Sequence, residues 1–243
     1  MRYVVIIPAR YQSTRLPGKP LVELCGKPMI VRTYSQCAKV VSPDRIFVAT
    51  DDQRIVDVCS AAGIQTILTS GNCLTGTDRV AEAAQQLDAD VFINVQGDEP
   101  IFEPRDLQSL VDTSYAHPNE ILNGYCPIND EVLFRSGTIP KVVLKPDGRL
   151  LYMSRAPIPT DKSGRFICAW RQVCAYAFPK IALHAFAAKG EKTLLESMED
   201  IEILRFLELG WDIQMIPMTD ASIAVDTPED VTTVEIAIIR RGL

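Results

Sequence analysis

The hydrophobic and polar positions in the first half of the chain alternate between two patterns. Short runs rich in β-branched residues, which are typical of buried strands, occur at Tyr3–Ile7, Arg45–Thr50 and Val91–Val95. Longer segments with apolar residues every three or four positions, which are typical of helices, occur at 29–41, 51–62 and 77–87. The alternation predicts an α/β fold, with a mostly parallel sheet and helices on both faces, in one domain that spans residues 1–243.

Residues 122–180 do not follow this alternation. The segment from Lys141 to Tyr152 contains two apolar runs around Pro146-Asp147-Gly148, a turn-forming sequence, and therefore predicts two antiparallel strands. We expect this antiparallel excursion to form a lid or a dimer contact. The α/β pattern then resumes with a helix at Thr193–Leu209, a strand at Ile213–Met218 and a last helix that begins at Thr227.

Composition and charge narrow the class of protein. A content of 47% hydrophobic and 23% charged residues is typical of a folded domain, and the net charge of −6 argues against binding nucleic acid through a general basic field. Neither a membrane-spanning run nor a cleavable leader is visible. The seven cysteines contain no CxxC pair and the chain has two histidines, so we expect a cytoplasmic protein without a disulfide framework or a zinc site.

The loop after the first strand is the most informative segment. It places Arg10, Arg15 and Lys19 among Ser, Thr and Gly residues, directly after the apolar strand. Ligands of parallel sheets bind beyond the carboxyl ends of the strands, and three cations among small residues suit a polyphosphate. The alternative is a solvated basic loop without a ligand.

Two acidic residues occupy similar positions. Asp98 follows the strand that ends at Val95, and Asp226 precedes the helix that begins at Thr227. Carboxylates at two strand ends, facing a triphosphate, supply the hard oxygen ligands that Mg²⁺ prefers and would form a paired metal site. The alternatives are structural: Asp98 as the acceptor of a turn, and Asp226 as a partner of the helix N-terminus.

With these residues in place, the chain resembles the 3-deoxy-manno-octulosonate (Kdo) cytidylyltransferase family, the CMP-Kdo synthetases. The blocks that carry the resemblance occur in the family's order and nearly from end to end: Pro8–Leu21, Gly26–Met29, Ala49–Asp51, Thr75–Arg79, Asn94–Pro100, Ser154–Pro159 and Val225–Asp230. Two of them, Pro8–Leu21 and Asn94–Pro100, are specific to this branch of the sugar nucleotidyltransferases.

The resemblance implies a Mg²⁺-dependent homodimeric enzyme of lipopolysaccharide or capsule synthesis. Its substrates would be CTP and an acidic 2-keto-3-deoxy sugar, whose anomeric 2-hydroxyl attacks the α-phosphorus and releases pyrophosphate. Neither a nucleic acid nor a membrane is an expected partner.

The resemblance also implies roles for particular residues. Lys19, Asp98 and Asp226 would be catalytic, and the two acids would bind Mg²⁺. The residues that would bind CTP are Pro8, Ala9, Arg10, Arg15, Lys19, Thr75, Gly76 and Thr77. The residues that would face the sugar, in or near the 122–180 subregion, are Gln96, Arg155, Gln172, Tyr176 and Glu202.

The second half departs from the family pattern. Gln172 stands where the family usually has a histidine, and Phe178 and Pro179 replace a tyrosine and an arginine. Glutamine differs from histidine in charge capacity and donor geometry, so the sugar stays open between Kdo, an 8-amino analogue and another such acid, including a nonulosonic acid. A sugar phosphate acceptor and a catalytically silent CTP-binding regulatory protein are further alternatives.

Two features of the sugar side have structural alternatives. Arg155 has the guanidinium that grips a carboxylate in a bidentate manner, or it is a surface arginine beside a proline-rich loop. Glu196, Glu199 and Glu202 recur every third residue, and they line either a polyol site or a solvated helix face.

Overall fold

The computed structural model describes residues 1–13 and 15–243. Its strands are β1 (Tyr3–Ala9), β2 (Glu23–Leu24), β3 (Lys27–Pro28), β4 (Ile46–Thr50), β5 (Gln65–Leu68), β6 (Val91–Val95), β7 (Ile121–Ile128), β8 (Lys141–Leu144), β9 (Leu150–Ser154), β10 (Ala169–Pro179) and β11 (Ile213–Pro217). Its α-helices are α1 (Met29–Cys37), α2 (Gln53–Ala61), α3 (Gly76–Gln85), α4 (Pro104–Ala116), α5 (Glu131–Arg135), α6 (Lys180–Ala188), α7 (Leu194–Glu199), α8 (Ile203–Glu208) and α9 (Pro228–Arg241).

The central sheet has the strand order β11-β7-β10-β6-β1-β4-β5. The strands β6, β1, β4 and β5 are parallel neighbours, and so are β7 and β11. Strand β10 lies between β6 and β7 and is antiparallel to both. The predicted α/β fold, with a mostly parallel sheet and an antiparallel part in the second half, is therefore confirmed.

Helices cover both faces of the sheet. Successive residues of each strand point to opposite faces, so the apolar residues of one strand pack against helices on either side. On β1, Val5 and Ile7 belong to the apolar cluster that includes residues of α1, α2 and α4. Ile6 belongs to a second cluster, which includes residues of α3, α6 and α8. The predicted helical faces carry Cys37 and Cys59 into the first cluster, where both are fully buried.

Side-chain caps fix where several helices begin. Asp52 caps α2 and Thr75 caps α3, each by accepting a hydrogen bond from a backbone amide of the first turn. The last helix, α9, begins as predicted, since Thr227 and Asp230 bond each other's backbone in a capping box. At 14 residues α9 is still short, and no helix in the described part of the chain is long and apolar enough to cross a membrane.

The prediction of one helix over Thr193–Leu209 is wrong, because α7 and α8 replace it. Asp200 has a left-handed backbone conformation, with φ of 51°, and this ends α7. After the break, the Arg205 guanidinium meets the Glu196 carboxylate at 2.6 and 2.7 Å, with both side chains fully buried. Glu196 therefore lies in the protein interior, not on a solvated face and not in a polyol site.

The predicted hairpin in the 122–180 segment is confirmed. Strands β8 and β9 are antiparallel neighbours, and the amide of Gly148 closes the turn on the carbonyl of Lys145 at 3.0 Å. The same segment also supplies β7 and β10 to the central sheet, with a bulge in β10 between Val173 and Tyr176. A role for this segment as a lid or a dimer contact stays a prediction.

Candidate active site

A cleft lies beyond the carboxyl ends of the parallel neighbours β1 and β6, where sheets of this kind bind ligands. The loop after β1, the loop after β6, the start of α3 and the segment before α9 meet there. Its lining includes these residues of the predicted CTP and metal sites: Pro8, Ala9, Arg10, Arg15, Lys19, Thr75, Gly76, Asp98 and Asp226. Thr77 is 1% exposed and is not part of the lining.

Lys19 joins the two acids that the sequence pairs. Its ammonium nitrogen lies 2.6 Å from Oδ2 of Asp98 and 3.0 Å from Oδ1 of Asp226. Arg15 also contacts Asp226, at 3.1 Å. Burial disfavours the charged lysine, but the charges and hydrogen bonds of the two acids outweigh burial and raise the pKa of Lys19 above its ordinary value of 10.5. The two carboxylates therefore share one cation.

The donor set of this pair is compatible with a hard divalent ion. In residues 1–13 and 15–243, no group of three or more His, Cys, Asp or Glu side chains is arranged to hold a metal. Mg²⁺ is nevertheless bound in many phosphate sites by one or two carboxylates, with phosphate oxygens and water as the other ligands. Asp98 and Asp226 supply that minimal set.

Contacts of the segment before α9 explain why Asp226 reaches Asp98. The amide of Val225 donates to the carbonyl of Asp98 at 2.9 Å, and the hydroxyl of Ser222 donates to the carboxylate of Glu99. Glu99 is 8% exposed, and burial raises the pKa of its carboxyl to about 7. These bonds hold the two acid-bearing segments side by side.

Gly97 allows the loop after β6 to approach the loop after β1. A Cβ atom on Gly97 would lie 2.7 Å from the carbonyl oxygen of Pro8, closer than Cβ atoms come to other atoms in proteins. Gly97 is not among the glycines with a positive φ. The glycine is therefore needed for the close packing of these two loops.

The turn at the start of α3 is held by two acids. The hydroxyl of Thr75 donates to Asp78 at 2.7 Å, while the carboxylate of Glu202 accepts from the amides of Gly76 and Thr77 at 3.2 and 2.8 Å. Burial raises the pKa of Glu202, and the hydrogen bonds oppose that rise. Glu202 lines the cleft while it caps the predicted nucleotide turn.

The predicted sugar residues fall into two groups. Gln96 and Glu202 line the cleft. Gln172 and Tyr176 do not line it; they are 6% and 4% exposed on β10. The amide nitrogen of Gln172 donates to Oδ1 of Asn123 at 3.0 Å and to the hydroxyl of Tyr176 at 3.2 Å. Sugar binding by Gln172 and Tyr176 stays a prediction.

Arg155 does not line the cleft, and its guanidinium is engaged by backbone carbonyls. Its three nitrogens donate to the carbonyls of Glu199, Thr138 and Asp200, at 2.5, 3.0 and 3.0 Å, and more weakly to Gly137 at 3.3 Å. The bonds tie the end of α7 to the loop before β8. Direct sugar binding by Arg155 stays a prediction, and it would require some of these bonds to open.

Three charged residues of the cleft were not assigned a role from the sequence. Arg79 is 4% exposed and pairs with Asp51 at 3.2 Å, and Lys192 pairs with Asp200 at 2.7 Å. Arg79 falls in a block that resembles the family, so a signal was present. Lys192 and Asp200 carried none, because their place in the cleft depends on the break between α7 and α8.

Comparisons with known proteins agree with this geometry. A family model described as cytidylyltransferase matches residues 4–213. A 3-deoxy-manno-octulosonate cytidylyltransferase of Trichlorobacter lovleyi is 41% identical, over 95% of this chain and 96% of the relative. A relative of the same name in Syntrophotalea carbinolica is 38% identical, over all of this chain and all of the relative. Another, in Anaeromyxobacter dehalogenans, is 42% identical over 95% of this chain and 95% of the relative.

Solved structures give the same result. The structure of a CMP:2-keto-3-deoxy-manno-octonic acid synthetase complexed with CTP superimposes with a TM-score of 0.92 at 32% identity, and all of both chains is covered. A cytidylyltransferase of Leptospira borgpetersenii has a TM-score of 0.67 at 18% identity, over 99% of this chain and 87% of that chain, and shows the fold alone.

Proposed function

The chain belongs to the 3-deoxy-manno-octulosonate cytidylyltransferase family, and we propose that it transfers the cytidylyl group of CTP to the anomeric hydroxyl of 3-deoxy-manno-octulosonate. The observation that carries the proposal is the cleft, in which one loop supplies Arg10, Arg15 and Lys19 opposite the paired Asp98 and Asp226. It occurs on a chain 32% identical to a synthetase complexed with CTP.

The reaction needs no nucleophile from the protein. The anomeric 2-hydroxyl oxygen of the sugar forms a bond to the α-phosphorus, the bond from that phosphorus to the bridging oxygen breaks, and pyrophosphate leaves with the electron pair. The hydroxyl proton passes to solvent. Positioning of the two substrates and stabilisation of the phosphate charge supply most of the catalysis in such transfers.

The cations of the first loop bind the triphosphate in this proposal. Arg10 and Arg15 are exposed and line the cleft, with Arg15 in contact with Asp226, whereas the Lys19 side chain is 17% exposed. Guanidinium groups suit phosphate because they offer planar, paired donors. Backbone groups of Pro8 and Ala9 and the turn of α3 then hold the cytosine and ribose.

Magnesium is the metal that this site suits. Asp98 and Asp226 would hold it, and when bound it would offset the negative charge that develops on the phosphates during transfer. The two acids are already directed at one point, where the Lys19 ammonium lies.

The sugar binds beside Gln96 and Glu202, which line the cleft next to Gly76. Gln172 and Tyr176 are buried on β10 and would contact the sugar only after neighbouring residues move. The nucleotide product feeds lipopolysaccharide or capsule synthesis, as in the pathways that consume this sugar.

The enzyme works in the cytoplasm, where its nucleotide substrate is made, and all seven of its cysteines are free thiols. Two copies form a dimer through the 122–180 segment. The large apolar side chains of Val132 and Ile167 are 77% and 69% exposed there, beside the packed pair of Phe134 and Phe166. Light scattering at several concentrations tests this, and a monomer at all of them contradicts it.

Two experiments test the function. The first incubates the enzyme with CTP, Mg²⁺ and a mixture of keto-acid sugars, and identifies the CMP-sugar by mass spectrometry. CMP-Kdo as the main product supports the proposal. A CMP-linked 8-amino analogue or nonulosonic acid as the main product would mean that the acceptor is a different acid sugar. Turnover of sugar phosphates alone would refute the proposed function, and CTP binding without turnover would indicate a catalytically silent protein.

The second experiment tests the metal site. Asp98→Asn keeps the shape of the side chain and removes its charge, so we expect Mg²⁺-dependent turnover to fall by about 10²–10³-fold in a folded protein. Asp112→Asn, on the exposed surface of α4, is the matched control and should turn over normally. Near-normal turnover of Asp98→Asn would remove Asp98 from the metal site.

A further inference from the structure

The Lys19 ammonium occupies the space between the two proposed metal ligands. Lys19 is held there by its backbone as well as by its charge, since it starts a single 3-10 turn directly after Gly18, which has a φ of 68°. The side chain is 17% exposed, and those of Asp98 and Asp226 are 27% and 40% exposed. This is an ordered and partly desolvated arrangement.

The ammonium and a divalent ion compete for the same atoms. Ammonium–oxygen distances here are 2.6 and 3.0 Å, whereas Mg²⁺ binds oxygen at about 2.0–2.1 Å. Two carboxylates that bind one Mg²⁺ at these distances leave no room for a second cation between them. Lys19 must therefore leave before a metal can bind both acids.

Without ligand, the positive charge of Lys19 offsets the repulsion between the two neighbouring carboxylates, and Arg15 adds a second contact to Asp226. Lys19 is the side chain that joins both acids and holds them in place. A triphosphate in the cleft provides a stronger anionic partner for the ammonium, and it adds phosphate oxygens that complete the coordination of a metal. Nucleotide thus removes the competitor and supplies ligands at the same time.

We propose that Lys19 is an internal counter-ion that closes the metal site of the nucleotide-free enzyme, and that the triphosphate of CTP opens the site by drawing Lys19 away. The inference rests on the proposed function, because it takes Asp98 and Asp226 as the metal ligands. It goes further in assigning an order: metal binds tightly only with nucleotide. Coupling is reciprocal, so metal must raise the affinity for nucleotide by the same factor.

The test measures metal binding directly. Mn²⁺, which can be counted by electron paramagnetic resonance, is titrated into wild-type enzyme and into Lys19→Met, each with and without a non-hydrolysable CTP analogue. Without nucleotide we expect Lys19→Met to bind Mn²⁺ at least about tenfold more tightly than the wild type, because the ammonium that contacts both acids is gone and only the Arg15 contact to Asp226 remains. The nucleotide should strengthen Mn²⁺ binding strongly in the wild type and much less in Lys19→Met.

Controls separate this effect from a general change of charge. Lys192→Met removes another ammonium of the same cleft, one that pairs with Asp200 rather than with the metal ligands, and should leave nucleotide-free Mn²⁺ affinity unchanged. Circular dichroism verifies folding, and Lys19→Gln replaces Lys19→Met if the latter is unfolded. Equal Mn²⁺ affinities for the wild type and Lys19→Met would overturn the proposal.

Failure of the proposed function has a different signature. If Asp98→Asn and Asp226→Asn leave Mn²⁺ binding in the presence of nucleotide unchanged, then the metal assignment itself is wrong. If those variants abolish Mn²⁺ binding but Lys19→Met binds no more tightly than the wild type, then the metal site stands and only the role of Lys19 as its counter-ion fails.

Discussion

Replacing Arg205 with methionine removes the cation from a buried ion-pair network. Arg205 and Glu196 are both 0% exposed, and Arg205 also reaches Asp78 at 2.9 Å. In Arg205→Met, Glu196 keeps the hydrogen bond from the amide of Thr193, at 3.1 Å, but loses both of its bonds to the guanidinium. Methionine fills much of the vacated volume, so the main loss is electrostatic.

Removal of one partner from a buried ion pair costs about 3–5 kcal/mol, because the other charge stays buried without compensation. The free energy of unfolding of a folded domain is about 5–15 kcal/mol, so this is a large share of the total. With a urea slope of about 3 kcal/mol per molar, the unfolding midpoint should fall by about 1–2 M.

Urea unfolding, followed by circular dichroism and by tryptophan fluorescence, measures this shift. The matched control is Arg135→Met, because the Arg135–Glu131 pair has the same 2.6 Å distance while its side chains are 48% and 58% exposed. An exposed pair contributes about 0.2–1 kcal/mol, so the control should move the midpoint little. The double variant Arg205→Met with Glu196→Leu removes both charges and should recover more than half of the loss.

Two results would refute this reasoning. Equal midpoints for Arg205→Met and Arg135→Met would mean that burial does not set the cost of losing the arginine. A double variant no more stable than Arg205→Met would mean that the uncompensated charge of Glu196 is not the source of the loss, and that packing around the guanidinium is.

Three further predictions follow from single sites. Gly97→Ala should lower the free energy of unfolding by about 1–3 kcal/mol in a urea titration, because its Cβ would meet the carbonyl of Pro8 at 2.7 Å. Gly137→Ala is the control and should leave the free energy of unfolding unchanged, because a Cβ there meets nothing within 4 Å. Burial alone would raise the pKa of Glu199, but hydrogen bonds from the Arg155 amide and the Ser154 hydroxyl outweigh burial and hold the pKa below its ordinary value of 4.5. The stabilisation from the Glu199 carboxylate is complete above pH 4.5 and is lost as the pH falls through its depressed pKa. When the urea unfolding midpoint is plotted against pH, Glu199→Gln should therefore show a smaller fall at acid pH than the wild type. An equal fall in both proteins contradicts this. Arg155→Ala should raise the KM for the sugar acid more than the KM for CTP if Arg155 binds the sugar. An unchanged KM for the sugar acid, together with a lower urea unfolding midpoint, would show that Arg155 has only the structural role indicated by its bonds to backbone carbonyls.

Local sequence determined the elements whose causes lie within a few residues. The β-branched runs gave β1, β4 and β6, the residues of the turn at Pro146–Gly148 gave the β8–β9 hairpin, and the box of Thr227 and Asp230 gave the start of α9. These features depend on side-chain periodicity and on bonds to nearby backbone, both of which can be read along the chain. The helices α4, α5 and α6 were not predicted, although Pro104 at the first position of α4 is a start signal.

The position of β10 was decided by tertiary structure. Its sequence is that of a buried strand, but nothing in it specifies β6 and β7 as neighbours or an antiparallel direction. The same holds for the three glutamates of spacing three. Glu196 pairs with Arg205, Glu199 accepts a hydrogen bond from the hydroxyl of Ser154, and Glu202 caps α3. The three side chains point to different partners because the predicted helix is interrupted at Asp200.

The site itself divides in the same way. Sequence by itself placed cations after β1 and acids after β6 and before α9, since strand ends and helix starts are local features. Only the folded chain brought Lys19 within hydrogen-bond distance of Asp98 and Asp226, which are 79 and 207 residues away in sequence. It also turned the Arg155 guanidinium toward backbone carbonyls. Such contacts depend on how distant segments pack, and the energy that selects them comes from the whole core rather than from any short stretch of residues.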